Sequence, residues 1–458
     1  MRSFTQVSTH FLTQLISGLA ACTYVCGTAA AQKLPVNDVA ITHVNVISMQ
    51  NEQVLPNQTV YISAGKIVAV SPTQGKAKAK QVIDGKNAYL IPGLSDMHTH
   101  LGLKLPNDGD PSMAEMESDI GLYLPNGVTT IRNMRATTGI LDLRAKLASG
   151  SMAGPELIVS GPSLHFSLPA AFGPKINTPE EAQAEVMRQK AAGFDLIKIH
   201  QDLPQPAYNA VLETAKQVGL PVAGHAQTKK ALTETARLGS IEHMEELAKL
   251  LDKEADFSDP ARVENLRAHS TYVTASLAVF HSIAQYLADP SLTALYQQPA
   301  TGYASAYWRE KMSAENNYFR RAFGADYAKR IPYFQQQFER LKKLTKQLQQ
   351  AGIPLLLGTD AVGLLAPGFT VHQELVMLVE AGLSPYQALQ SATIMPARWQ
   401  GLASEKGYIG KGARADLVLL AANPLEDIRA SQKILGVMRL GQWFDRQALD
   451  QMLQKRLR

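Results

Sequence analysis

The sequence predicts an α/β fold: a parallel (β/α)8 TIM barrel with a small composite β-sandwich formed by its N- and C-terminal segments. Three observations carry this prediction. Short apolar runs alternate with helical stretches through the middle of the chain, the pattern of parallel strands joined by right-handed crossovers. Eight such runs occur, at 90–94, 128–131, 156–159, 196–199, 221–224, 240–242, 272–275 and 354–357, the number a closed barrel of this kind needs. Further strand-like segments lie before and after them, too short to fold alone.

The elements follow in order. Residues 1–31 read as an export signal: Arg2 supplies the positive start, 11–25 is moderately apolar, and Ala29-Ala30-Ala31 before Gln32 offers an A-x-A cleavage site. An exported protein, periplasmic or secreted, is therefore expected. Leu19-Ala20-Ala21-Cys22 also resembles a bacterial lipobox, in which case Cys22 would be lipidated and the protein anchored to a membrane; cleavage after Ala31 ranks first. The apolar stretch is too short and too polar for a stable membrane span. Residues 32–90 form the N-terminal part of the β-sandwich, with strands at 39–47, 60–62 and 66–70 and a hairpin turn at Ser63-Ala64-Gly65. Residues 91–402 form the barrel. Within it, about 278–350 is a helical, aromatic-rich insertion, too long for an ordinary connection. It leaves the C-terminal end of the seventh strand, so part of it should wall the substrate pocket on the catalytic face. Residues 403–458 complete the sandwich with strands at 416–420 and 437–440.

Composition narrows the chemistry. The 458 residues suit one large barrel plus a small accessory unit, and 45% hydrophobic with 19% charged residues is an ordinary globular balance. The net charge of +5 is dispersed, which favours a solvated surface over nucleic-acid binding. Homo-oligomerisation is left open. The two cysteines are Cys22 and Cys26, so a metal in the body of the protein must be held by His, Asp, Glu or a modified side chain.

The candidate ligands sit at strand ends. His98 and His100 are two apart, so in a strand both imidazoles face one side. His225 follows the fifth strand, His243 the sixth and Asp360 the eighth; Lys198 lies inside the fourth. Any one of these residues is easily a satisfied core or loop group, but six in this order gather at one rim of a barrel. A lysine there is a poor cationic neighbour, because burial and metal charge favour its neutral amine.

The ordered set His98, His100, Lys198, His225, His243 and Asp360 resembles the amidohydrolase superfamily. Within it, the chain is similar to the branch of imidazolonepropionase-related hydrolases and metal-dependent Xaa-Pro dipeptidases. Matching stretches are Ile91-Pro92-Gly93-Leu94 with the H-x-H, Ile197-Lys198-Ile199, Gly224-His225-Ala226, Ile241-Glu242-His243, Gly358-Thr359-Asp360-Ala361 and 410–417. The resemblance implies two divalent metal ions, zinc being the first expectation, and a carbon dioxide-derived carbamate on Lys198 that bridges them. His98, His100 and Asp360 would hold one ion and His225 and His243 the other. The implied reaction on a small-molecule substrate is hydrolysis of an amide, peptide-like or cyclic C–N bond by a metal-bridging hydroxide, with Asp360 as the catalytic proton carrier.

His165, His200 and Tyr272 are weaker candidates for substrate contact. His200 shares the inward face with Lys198, His165 follows the third strand, and Tyr272 lies on the seventh. His281 opens the insertion, and His372 reads as structural. One stretch departs from the branch: many of its dipeptidases carry Gly-Gly-His after the third strand, whereas this chain reads Gly161-Pro162-Ser163-Leu164-His165. Two rival functions remain. A mononuclear deaminase would usually lack the bridging lysine and place Glu where Thr228 stands. A catalytically silent binding protein would have lost ligands.

Overall fold

The computed structural model describes residues 37–252, 256–289 and 291–456. The expected leader, with Cys22, Cys26 and the 29–31 cleavage site, lies outside the described residues. Sixteen strands are present among those described. The first five are β1 (Asn37–Ile47), β2 (Val54–Ser63), β3 (Lys66–Pro72), β4 (Ala79–Asp84) and β5 (Tyr89–Pro92). Then come β6 (Leu94–Thr99), β7 (Val128–Asn133), β8 (Glu156–Val159), β9 (Ile197–Ile199), β10 (Val222–Gly224), β11 (Ser240–Glu242), β12 (Tyr272–Thr274) and β13 (Leu355–Leu356). The last three are β14 (Leu417–Leu420), β15 (Ile434–Arg439) and β16 (Gln442–Asp445).

The terminal strands share one sheet, in the order β16-β15-β14-β5-β1-β2-β3, with β4 also paired to β1. The β2–β3 turn is Ala64-Gly65, with φ of 48° and 71°, the left-handed conformation that a two-residue hairpin of this twist requires. Period-two alternation divides β14 between two cores. Leu417 and Leu419 join Val39, Ile41, Val60 and Ile67 in a cluster of the terminal strands, while Val418 and Leu420 face the large central cluster.

From β6 to β13 every ladder is parallel: β6-β7-β8 form one sheet and β9-β10-β11-β12-β13 another. Hydrogen bonds cross both seams. Ser160 bridges Leu196 and Leu164 bridges Ile199 on one side; on the other, Met97 N–H donates to Leu357 O and Asp360 N–H to His98 O, each at 2.8 Å.

One strand differs from expectation. The run at 90–94 is not the first strand of the parallel series: β5 ends at Pro92 and pairs with β14 and β1 in the terminal sheet, and β6 begins at Leu94. Gly93 is the hinge. A Cβ there would lie 2.1 Å from Thr129 Oγ1, so only glycine lets the chain cross between sheets at that point. Apolar periodicity cannot distinguish one long strand from two short ones in different sheets.

The insertion folds as helices at Leu277–Ala288, Thr293–Tyr296, Ala306–Lys311, Tyr318–Phe323 and Tyr327–Gln350. The last buries Phe338, Leu341, Leu344, Thr345 and Leu348 on one stripe. His281 packs on Phe338 with ring centroids 4.8 Å apart. Among the described residues, no helix is long and apolar enough to cross a membrane.

Candidate metal centre and pocket

All six candidate ligands gather where the parallel strands end. His98 is the penultimate residue of β6, Lys198 is central in β9, and His225 and His243 directly follow β10 and β11. His98 Nε2 lies 3.3 Å from His100 Nε2. Asp360 Oδ1 is 3.4 Å from His100 Nε2 and 3.9 Å from His98 Nε2, and its Oδ2 is 3.9 Å from His243 Nε2. The rings of His98 and His243 are 4.3 Å apart, those of His225 and His243 5.2 Å. Within this set, ligand atoms of His98, His243 and Asp360 all fall within 4.8 Å of one another.

Burial sets the protonation. Desolvation first, then the nearby Lys198 charge, hold His100 down to about 3 and push His98 and His225 well below the usual imidazole range. His243 is depressed in the same way, by burial and then by His98. These are neutral imidazoles at pH 7, with lone pairs available. Lys198 falls to about 8, again through burial, despite Glu242 and Asp360 opposing it, and its Nζ has no hydrogen-bond partner. Burial lifts Asp360 to about 6. His243 and Asp360 adopt φ of 71° and 42°, a conformation uncommon outside glycine and enriched at functional sites.

A buried network that sequence reasoning did not assign holds the ligands in place. His98 Nδ1 is 2.7 Å from Glu242 Oε2. Glu242 Oε1 accepts from Arg132 Nη2 at 2.7 Å and from Ser240 Oγ at 2.6 Å. Burial alone would raise Glu242, but Arg132 and Lys198 together keep it below its ordinary value. The Arg132 guanidinium stacks over Trp399, 4.4 Å from the ring centroid. Asp96 accepts from Thr359 N–H, Thr359 Oγ1 and His98 N–H, tying β6 to the loop that bears Asp360. The available signal was a charged residue inside an apolar strand, Arg132 in Val-Thr-Thr-Ile-Arg-Asn and Glu242 in Ser-Ile-Glu, because such residues are buried only when paired.

A pocket of about 380 Å³ opens over the cluster, lined by His100, Lys198, His225, His243 and Asp360. His200 also lines it, 4.4 Å ring to ring from His225. The insertion contributes Val279, Phe280, Ile283, Trp308, Tyr318 and Phe319; among its other aromatics Tyr286 and Phe338 are packed inward, whereas Tyr296 and Tyr333 are exposed.

Neither His165 nor Tyr272, expected beside the substrate, is among the residues lining this pocket. Both ring nitrogens of His165 are engaged by its own loop: Nε2 with Gly173 O at 2.9 Å and Nδ1 with Leu168 N–H at 3.1 Å. Tyr272 opens β12 and lies in the field of Arg398, on the helix Ile394–Trp399. His372 is buried with Nδ1 3.0 Å from Ser431 Oγ.

Comparison with known proteins follows the same lines. The model of the Amidohydrolase family matches residues 89–444. An adenine deaminase of Chelativorans sp. (strain BNC1) is 27% identical over 219 residues, 44% of this chain and 34% of the relative. The chain thus spans about a third of the length of that curated relative. The solved structure of a bottromycin amidohydrolase superposes with a TM-score of 0.71 at 21% identity, covering 93% of this chain and 91% of its own. A Xaa-Pro dipeptidase with methionine bound in its active site gives 0.68 at 21% identity, covering 89% and 99%. At these identities the likeness is one of fold.

Proposed function

From the premise that this chain belongs to the amidohydrolase family, we propose that it is a binuclear metal-dependent hydrolase of an amide, peptide-like or cyclic C–N bond. The observation that carries the reading is the partnerless Lys198 Nζ, buried amid four neutral imidazoles and a carboxylate. The Nε2 atoms of His98 and His100 converge to 3.3 Å, as two ligands of one ion would, and the buried Nδ1 atoms of His100 and His243 lack partners. The donor set, nitrogen with carboxylate oxygen, suits a divalent first-row ion such as zinc.

In this reading His98, His100 and Asp360 would hold one ion and His225 and His243 the second, and Lys198, as a carbamate, would supply an anionic ligand. Bound ions would supply an acidified water and polarise the substrate carbonyl. The chain does the rest. Glu242 fixes His98 through Nδ1, leaving Nε2 for the ligand. Lys198, lowered to about 8 by burial, has a substantial neutral fraction near that pH and is then a nucleophilic amine for carbon dioxide. Asp360 sits in the pocket wall and carries a proton toward the leaving nitrogen. The apolar insertion wall excludes water and sharpens the electrostatics.

The same reading takes the eight parallel strands of residues 91–402 as a closed barrel. Residues 32–90 and 403–458 form the composite β-sandwich beside it, and 1–31 is an export leader. N-terminal sequencing of native protein distinguishes a start at Gln32 from a lipid-modified Cys22.

The decisive experiment is metal quantitation alongside a hydrolysis screen of N-acyl amino acids, dipeptides and lactams. Two ions per chain with turnover of an amide is the expected result. One ion with ammonia release would favour a deaminase instead, and no metal would favour a silent binding protein.

A further inference from the structure

Resting on the reading of this pocket as an amide-hydrolysing site, we propose that Arg135 is its anion-binding residue and that the substrate is an N-acyl amino acid or short peptide. A free carboxylate would be held by Arg135 and an apolar acyl group by the insertion wall.

Arg135 follows β7 in the loop facing the metal cluster and lines the pocket beside His100 and His200. Its side chain is only 14% exposed, yet its one ion-pair partner among the described residues, Asp110, stands 4.0 Å away and is 43% exposed. One guanidinium nitrogen, Nη2, donates to Ala171 O at 3.1 Å. The other charged residues of the pocket are better matched. Lys104 pairs with Glu115 at 2.9 Å, and Glu245 and Glu246 pair with Lys249 at 2.8 and 2.6 Å. Lys198 belongs to the centre. Arg135 is therefore the pocket cation with donors to spare, and a guanidinium fork matches a carboxylate in a bidentate pair.

The opposite requirement comes from the insertion. Phe280, Ile283, Trp308 and Phe319 present an apolar wall. The indole N–H of Trp308 is buried without a partner, leaving one donor for a polar atom on an otherwise apolar group. A cation on one side and an apolar wall on the other fit a molecule whose carboxylate and hydrophobic group flank the scissile amide.

The test compares N-benzoyl-L-phenylalanine with its C-terminal amide on the metal-loaded full chain, by calorimetric binding and by turnover. Wild type should bind the acid at least about tenfold more tightly than the amide. Arg135→Gln should erase that difference by weakening the acid alone, and Arg135→Lys should restore part of it. Unchanged metal content in each variant reports an intact centre. Equal binding of acid and amide by wild type, no binding of either, or an equal loss for both in Arg135→Gln would overturn the carboxylate assignment. If the acid binds through Arg135 but neither compound is cleaved, the assignment of Arg135 stands and the amide-hydrolysis reading fails.

Discussion

His98 and Glu242 are joined at 2.7 Å between Nδ1 and Oε2, with both side chains essentially inaccessible to solvent. The contact couples two tasks. Glu242 orients a candidate ligand, and through its other oxygen it neutralises Arg132, which is also fully buried.

Glu242→Gln should therefore weaken the first task and lose the second. Gln can still accept from His98 but leaves the Arg132 charge unpaired, at a cost of about 3–5 kcal/mol in stability. Metal affinity should fall by about 10- to 100-fold. Denaturant unfolding and a metal titration measure the two losses separately, and unchanged stability would show that the pair is not what holds Arg132.

If Lys198 carries the proposed carbamate bridge, Lys198→Ala should reduce turnover to a small residue. Short-chain carboxylic acids added to the variant should recover part of the activity by filling the vacated bridge. An intact mass of active wild type equal to that of the unmodified chain, under conditions that preserve carbamates, would contradict the assignment.

Asp360→Asn keeps the shape of the side chain and removes its basicity. Turnover should drop by roughly 100-fold or more, while the melting temperature stays close to wild type. Near-normal turnover by the folded, metallated variant would move the proton-transfer role to another residue.

Glu156 supplies a pH prediction away from the metal centre. It accepts from Lys406 Nζ at 2.7 Å and Arg414 Nη2 at 2.5 Å, clamping β8 to the chain before β14. Burial would raise its pKa, but Lys406 and Arg414 hold it down to about 2 from an ordinary 4.5. A depressed carboxyl contributes stability that is complete above pH 4.5 and is lost as pH falls toward 2. With its partial exposure the contribution is on the order of 2 kcal/mol. Glu156→Gln should be less stable than wild type by that amount at pH 7, and the two should converge between pH 4.5 and 2. Parallel stability curves across that window would show that the clamp carries no linked energy.

The sequence alone determined the parts of this protein that follow from periodicity and local chemistry. Alternating apolar runs located seven of the eight parallel strands, and the Ala64-Gly65 turn announced its hairpin. His98, His100, Lys198, His225, His243 and Asp360 were legible because each falls in or just after a strand, and parallel strands must end on one side. What tertiary structure decided depends on contacts between residues distant in sequence. The run at 90–94 divides between two sheets because Gly93 meets Thr129, a neighbour that no local pattern encodes. That the loop of His165 folds back on both its ring nitrogens is likewise invisible to local pattern. Glu242 and Arg132, 110 residues apart, become one support only when β7 and β11 face the same interior. The role proposed for Arg135 likewise rests on how loosely its partners in space engage it, which no local pattern encodes.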